Sequence, residues 1–168
     1  EIMIDNEKAN SLWQKAIQSG ARPVGLAARD TLRLEAGMNL YGFEMDKMIS
    51  PLECNMAWTV SLKDKERSFI GKEAFELKKK NGDHDLLKGL LFEDRCIVRS
   101  NQEIFFDEKK TKEGIVTSGT YSPTLKKSIA LARIVHSDKE TCLAEVRGKI
   151  FTAAIGQPRF IKEGKVVF

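Results

Sequence analysis

Apolar residues at Ala9, Leu12, Trp13, Ala16 and Ile17 fall at offsets of 0, 3, 4, 7 and 8, the spacing of one helical face. Asp5 or Asn6 can cap the start of that helix and Gly20 can end it. The stripe predicts a helix packed against a core, and the preceding residues 1–5 read as a short strand. Pro23 sits where a second helix can begin and Gly37 where it would stop, around an Ala- and Leu-rich stretch that favours helix. Residues 38–56 carry Gly42 and Pro51 and read as loop with short extended pieces. Residues 57–62 alternate as a strand does, and residues 63–67 make a charged turn. Residues 72–82 then give a third helix stopped at Gly82.

Beyond Asp85 the period changes. Residues 86–94, 96–106, 112–122, 128–135, 142–155 and 159–168 are short strand-like runs. Turn signals at Asn101, Gly114, Gly119, Ser137-Asp138 and Gly164 punctuate them, which suggests a small barrel or sandwich. The expected fold class is α+β, with an α/β part over residues 1–84 and an all-β domain over residues 85–168.

With 168 residues and 42% hydrophobic content, the chain can build one ordinary domain or two small ones. A net charge of +4 is mild, and the run at Lys78, Lys79 and Lys80 closes a helix, where cations complement the dipole. Neither feature calls for nucleic acid, and no apolar run reaches the ~18 residues of a membrane span. Cys54, Cys96 and Cys142 are far apart and form no CxxC pair, so they read as reduced thiols in a cytoplasmic compartment, with no metal site. His84 and His136 are too isolated for a metal site or a serine triad.

The run Gly114–Gly119, GIVTSG, resembles a phosphate cradle but lacks the lysine after its second glycine, so it reads as a β-turn or bulge. Arg29 lies among Leu26, Ala27, Ala28 and Leu32, and a guanidinium near a core needs a partner. Asp30, Glu35 or another carboxylate would serve, and so would an anionic ligand. Tyr41 and Trp58 follow turn-like segments, where an aromatic either packs in the core or stacks on a flat heterocycle. Met38 is open to the same two readings, ordinary packing or an adaptable pocket wall.

Residues 25–42, GLAARDTLRLEAGMNLYG, closely resemble the signature of aminomethyltransferases. Met45-Asp46, Ile49-Ser50-Pro51, Trp58-Thr59, the block FIGKEAF at 69–75, GIVTSG at 114–119, YSPTLK at 121–126 and SIALA at 128–132 follow in the family's order. The resemblance covers essentially the whole chain and is to the carboxy-terminal half of the glycine cleavage system T-protein, bacterial type. It implies the carboxy-terminal part of a folate-binding cloverleaf fold that ends in a small antiparallel β-barrel. It also implies transfer of a one-carbon unit from the aminomethyl-lipoyl arm of the H-protein to tetrahydrofolate, with release of ammonia.

By the same resemblance Arg29 matches a folate-site arginine, Met38 a pocket position and Trp58 a tryptophan near the bound cofactor. The family's proton-handling aspartate and pterin-reading glutamate match no position in this chain. No catalytic residue is therefore expected here, and the isolated chain is expected to be inactive. Two other readings share the fold: the folate-binding region of a sarcosine or dimethylglycine dehydrogenase, and a non-catalytic folate-binding protein. The latter carries a cysteine in the block that corresponds to SFIGKEAF, and this chain has none there.

Overall fold

The computed structural model describes residues 2–168, and the chain divides into two compact units, residues 1–30 and 31–168. In the first unit, helix α1 (Asn6–Gln18) starts after Asp5, whose extended backbone makes it the N-cap residue. Its carboxylate pairs with Lys8, 2.9 Å away, instead of capping an amide. Two expectations fail here. Residues 2–5 form no strand, having no neighbour to pair with, and Glu1 lies outside the described residues. On the stripe of α1 no residue is fully buried: Leu12 and Ala16 are half-buried, and Trp13 is 55% exposed.

Helix α2 (Leu26–Glu35) runs across the division, and its last turn, Arg33, Leu34 and Glu35, is buried. Gly37 ends it in the left-handed region at φ 70°. The Met38 N–H donates to Arg33 O at 2.8 Å and the Gly37 N–H to Leu34 O at 3.0 Å, the paired bonds of a Schellman stop. Residues 38–56 are turns as expected, and of the short extended pieces the described residues show one isolated bridge, Tyr41 with Met45. Residues 57–62 are not a strand: Ala57–Thr59 is a 3-10 turn, because the Thr59 hydroxyl and N–H both donate to Met56 O, at 2.7 and 3.0 Å. A local side-chain bond of this kind competes with strand pairing. Asp64 organises the charged turn by accepting the N–H groups of Glu66 and Arg67. Helix α3 (Lys72–Asn81) ends at Gly82, with Lys78, Lys79 and Lys80 in its last turn.

The remaining strands are β1 (Leu86–Phe92), β2 (Glu103–Phe105), β3 (Gly114–Ser122), β4 (Lys127–Ile134), β5 (Thr141–Val146) and β6 (Lys149–Gly156). All pairings are antiparallel, in the order β1-β4-β3-β2-β5-β6, and β6 returns to β1, so the sheet closes into a barrel. Closure leaves none of these strands as an unpaired edge. The run at 96–106 yields only the three residues of β2, although Cys96 and Val98 are buried. The last run, 159–168, is a separate hairpin, β7 (Ile161–Lys162) with β8 (Lys165–Val166).

Strand β4 explains the layering. Ala130, Ala132 and Ile134 point into the barrel with Leu90, Phe92, Val116, Ala144 and Ala153. The alternate residues Ile129 and Leu131 point outward onto Leu34, Leu87 and Phe160. A strand buried on both faces reads as a continuous apolar run, which is what SIALARI is. The alanines are needed inside because a small barrel has a narrow lumen. Phe168 stacks on Phe160 with ring centroids 4.9 Å apart, and so ties the chain end to this outer layer.

Candidate functional site

Residues 38–60 form a layer of turns that joins the end of α2 to the block preceding α3. Its polar groups are mostly spent on holding it together. Asn39 donates to Cys54 O at 2.7 Å, and Asp46 accepts the N–H groups of Met48 and Ile49. Glu53 accepts from Ser50 N–H at 3.0 Å and pairs with Lys78 of α3 at 2.8 Å. Burial by itself would raise the Glu53 pKa, but the Lys78 ammonium and the Ser50 N–H outweigh it and hold the carboxyl below its ordinary range. The layer presents apolar side chains outward: Met38, Tyr41, Phe43, Met48 and Trp58 are all exposed. A cleft of about 540 Å³ runs beside it, lined by Met48, Pro51, Val60, Phe69 and Phe75, with Lys47 and Lys78 also on its wall.

Beneath the layer lies a buried polar cluster. Arg33 pairs with Glu44 at 2.8 Å, and their side chains are 7% and 0% exposed. Arg33 also donates to Ser118 Oγ at 2.8 Å and to Met38 O at 3.3 Å. Glu44 accepts from the Thr117 hydroxyl at 2.7 Å and from Leu40 N–H at 2.9 Å. Its backbone carbonyl accepts from Arg133 Nη2 at 2.9 Å, while Arg133 Nε has no partner among the described residues. The GIVTSG run supplies the two hydroxyls. It is a bulge in β3, between Val116 and Ser118, as the sequence suggests, and not a phosphate cradle.

The sequence-derived site residues fall as follows. Arg29 is exposed on α2 in the first unit, so the expectation of a guanidinium in apolar surroundings is corrected: the buried arginine is Arg33, one turn later. Glu35, a suggested partner for Arg29, instead accepts the hydroxyls of Ser122 and Thr124. Met38, 62% exposed, follows the Gly37 stop, and Trp58, 80% exposed, stands on the 3-10 turn. Both belong to the second unit. Sequence reading missed Arg33, Glu44, Thr117 and Ser118 as a set. The one available signal was a glutamate placed between two apolar residues, Phe43 and Met45. Cys54, Cys96 and Cys142 are free and buried. Among the described residues no group of three His, Cys, Asp or Glu side chains is placed to hold a metal ion.

A helical and turn-rich region followed by a closed six-stranded barrel defines an α+β protein with a glycine-cleavage-type carboxy-terminal barrel. Residues 1–64 match the GCVT N-terminal domain, and residues 87–162 match the glycine cleavage T-protein C-terminal barrel domain. The chain is similar to the crystal structure of the glycine cleavage system aminomethyltransferase T from Bartonella henselae, with a TM-score of 0.80 and 28% identity over 93% of its own length. It covers 46% of that relative, less than half of its length. The chain belongs to the glycine cleavage T-protein family.

Proposed function

We propose that this chain supplies one wall of the folate site of an aminomethyltransferase. That enzyme moves the one-carbon unit from the aminomethyl-lipoyl H-protein to tetrahydrofolate and releases ammonia. The observation that carries the reading is the exposed layer 38–60 in a member of this family: its indole and thioether stand in solvent although their types favour burial. The residue types suit the substrate. Trp58 offers a face on which a flat heterocycle can stack, Met38 an adaptable apolar wall, and Arg29 an exposed guanidinium suited to a carboxylate tail.

Tetrahydrofolate, when bound, supplies the nucleophilic nitrogen that accepts the carbon unit. The residues of this chain orient that substrate and shield the reacting carbon from water. They do not move its proton. Both buried glutamates are engaged internally, Glu35 by Ser122 and Thr124, and Glu44 by Arg33, Thr117 and Leu40. The 168 residues alone are inert on this reading, because the family's acid–base carboxylate matches no position in them. Three unpaired thiols accord with a cytoplasmic setting. No described helix is long and apolar enough to cross a membrane.

Titrating tetrahydrofolate into this chain, and into Trp58→Ala and Arg29→Ala, tests the wall by calorimetry. The expected result is weak binding that each substitution lowers at least five-fold, about 1 kcal/mol. Incubation with aminomethyl-lipoyl H-protein and tetrahydrofolate tests the inertness. Ammonia release above the uncatalysed rate would overturn it, and folate binding indifferent to both substitutions would overturn the wall.

A further inference from the structure

The buried cluster does more than join two elements, because every group that Glu44 touches belongs to a different part of the frame. Its carboxylate takes one donor from the end of α2 (Arg33), one from β3 (Thr117) and one from the loop's own backbone (Leu40). Its carbonyl takes a fourth from β4 (Arg133). In a regular strand Thr117 and Ser118 would face opposite sides of the sheet. The bulge between Val116 and Ser118 breaks that alternation, and both hydroxyls reach the same ion pair. The loop held in this way, 38–44, carries Met38, Tyr41 and Phe43 on its outer side, all exposed. Arg33 further accommodates the loop's entry by donating to Met38 O.

We infer that Glu44 is the positioning residue of the ligand-facing loop. Seated on the β3 bulge, its carboxylate fixes the backbone on which Met38, Tyr41 and Phe43 are presented. This rests on the folate reading given above for what the loop faces, but not for how the loop is held. A buried ion pair is a poor source of net stability, since well-packed apolar residues of similar volume often do as well. What such a pair provides that apolar residues do not is direction: the Leu40 N–H and the Thr117 hydroxyl must meet one carboxylate in one geometry. Stability and positioning can therefore be separated by experiment.

Three variants make the separation. Thr117→Val keeps the shape and the ion pair but removes the hydroxyl, whose single proton serves Glu44 at 2.7 Å and faces Leu131 O of β4 at 3.0 Å. Glu44→Gln leaves Arg33 buried against a neutral group. The double variant Arg33→Met/Glu44→Leu replaces the whole pair with apolar side chains. Hydrogen exchange of the 38–44 amides is read without ligand, beside that of the β3 and β4 amides and the melting temperature. Thr117→Val and the double variant are expected to exchange at least five-fold faster at Leu40, with β3 and β4 unchanged. The double variant should recover most of the melting temperature lost by Glu44→Gln while its loop stays fast. Were loop protection to recover together with the melting temperature, Glu44 would be a structural residue only and the inference would fail. Tetrahydrofolate titration then reads the ligand arm. A five-fold weaker affinity in Thr117→Val supports positioning for that substrate, and unchanged affinity with a loosened loop refutes it. Failure of the unaltered chain to bind tetrahydrofolate would sink the folate reading, and the exchange result would still decide how the loop is held.

Discussion

Gly37 is constrained twice over. Its φ of 70° lies in the left-handed region, and a Cβ built there would fall 1.6 Å from Pro158 O, a backbone atom with little room to yield. Gly42 has φ 89° but nothing within 4 Å of its would-be Cβ. The pair separates conformational strain from collision. Gly42→Ala should cost about 1–2 kcal/mol, the left-handed penalty alone. Gly37→Ala must also displace the 158–160 backbone from α2, where Phe160 N–H donates to Glu35 O at 3.0 Å, and should cost more than about 3 kcal/mol. Denaturant unfolding of both variants gives the comparison, and equal losses would mean that the close approach at Pro158 is absent in solution. The role of Gly37 as a helix stop was legible in the sequence from its place after an Ala/Leu-rich run. The collision was not, because Pro158 lies far along the chain. Arg29 and Arg33 make the same point. Four apart on one helix, they are equivalent in any local pattern, and only the packing of the helix end over β3 made Arg33 the buried one.

Among the elements, helix α3 was predicted within a residue of its ends because its signals are local: a glycine at each end and cations in the last turn. What the sequence did not reveal was its tie to the turn layer through Lys78 and Glu53. That tie has a pH signature. The Glu53 carboxyl is held below its ordinary range, so the stabilisation is fully present above that range and fades as pH falls through the folded-state value. The side chains of Lys78 and Glu53 are 36% and 15% exposed, so screening limits the pair to under about 1 kcal/mol. Lys78→Met should accordingly lower stability slightly at pH 7, and its melting temperature should converge with that of the unaltered chain once pH has fallen below the depressed folded-state value of Glu53. A difference that persists undiminished in acid would assign the loss to packing of the lysine stem. Helix α1 is the opposite case. Its apolar period was read correctly, yet the stripe is not buried in this chain, because periodicity records what a face is suited to cover and not what covers it.

At the scale of the molecule, the barrel closes the sheet and gives the second unit a lumen of small and branched apolar side chains. Its cysteines report on that closure. Cys54, Cys96 and Cys142 are buried and unpaired, and burial pushes all three thiols up, Cys142 to about 12. Since the thiolate is the reactive form, the folded chain should be nearly inert to a disulfide reagent at pH 8. All three thiols should react at once in guanidinium. Rapid reaction of any thiol in the folded chain would show that the barrel or the turn layer opens readily, and the rate would give the free energy of that opening.

The elements whose signals are short-range are legible in the chain before it folds. These are α1 and α3, the Gly37 stop, an irregularity of turn or bulge type in GIVTSG, the succession of strands after residue 85, and a family signature carried by ordered blocks. Each follows from side-chain period, turn chemistry or residue order, which a chain displays before it folds. Packing between distant segments set the strand order β1-β4-β3-β2-β5-β6 in which the barrel closes, and Ala57–Thr59 is a 3-10 turn where a strand was expected. Packing alone chose Arg33 over Arg29 as the arginine to bury, and brought Glu44 to the Thr117 hydroxyl 73 residues away. Those outcomes depend on contacts between distant segments. Burying a charge is tolerated only where another segment supplies its partner, and no local pattern states which segment that will be.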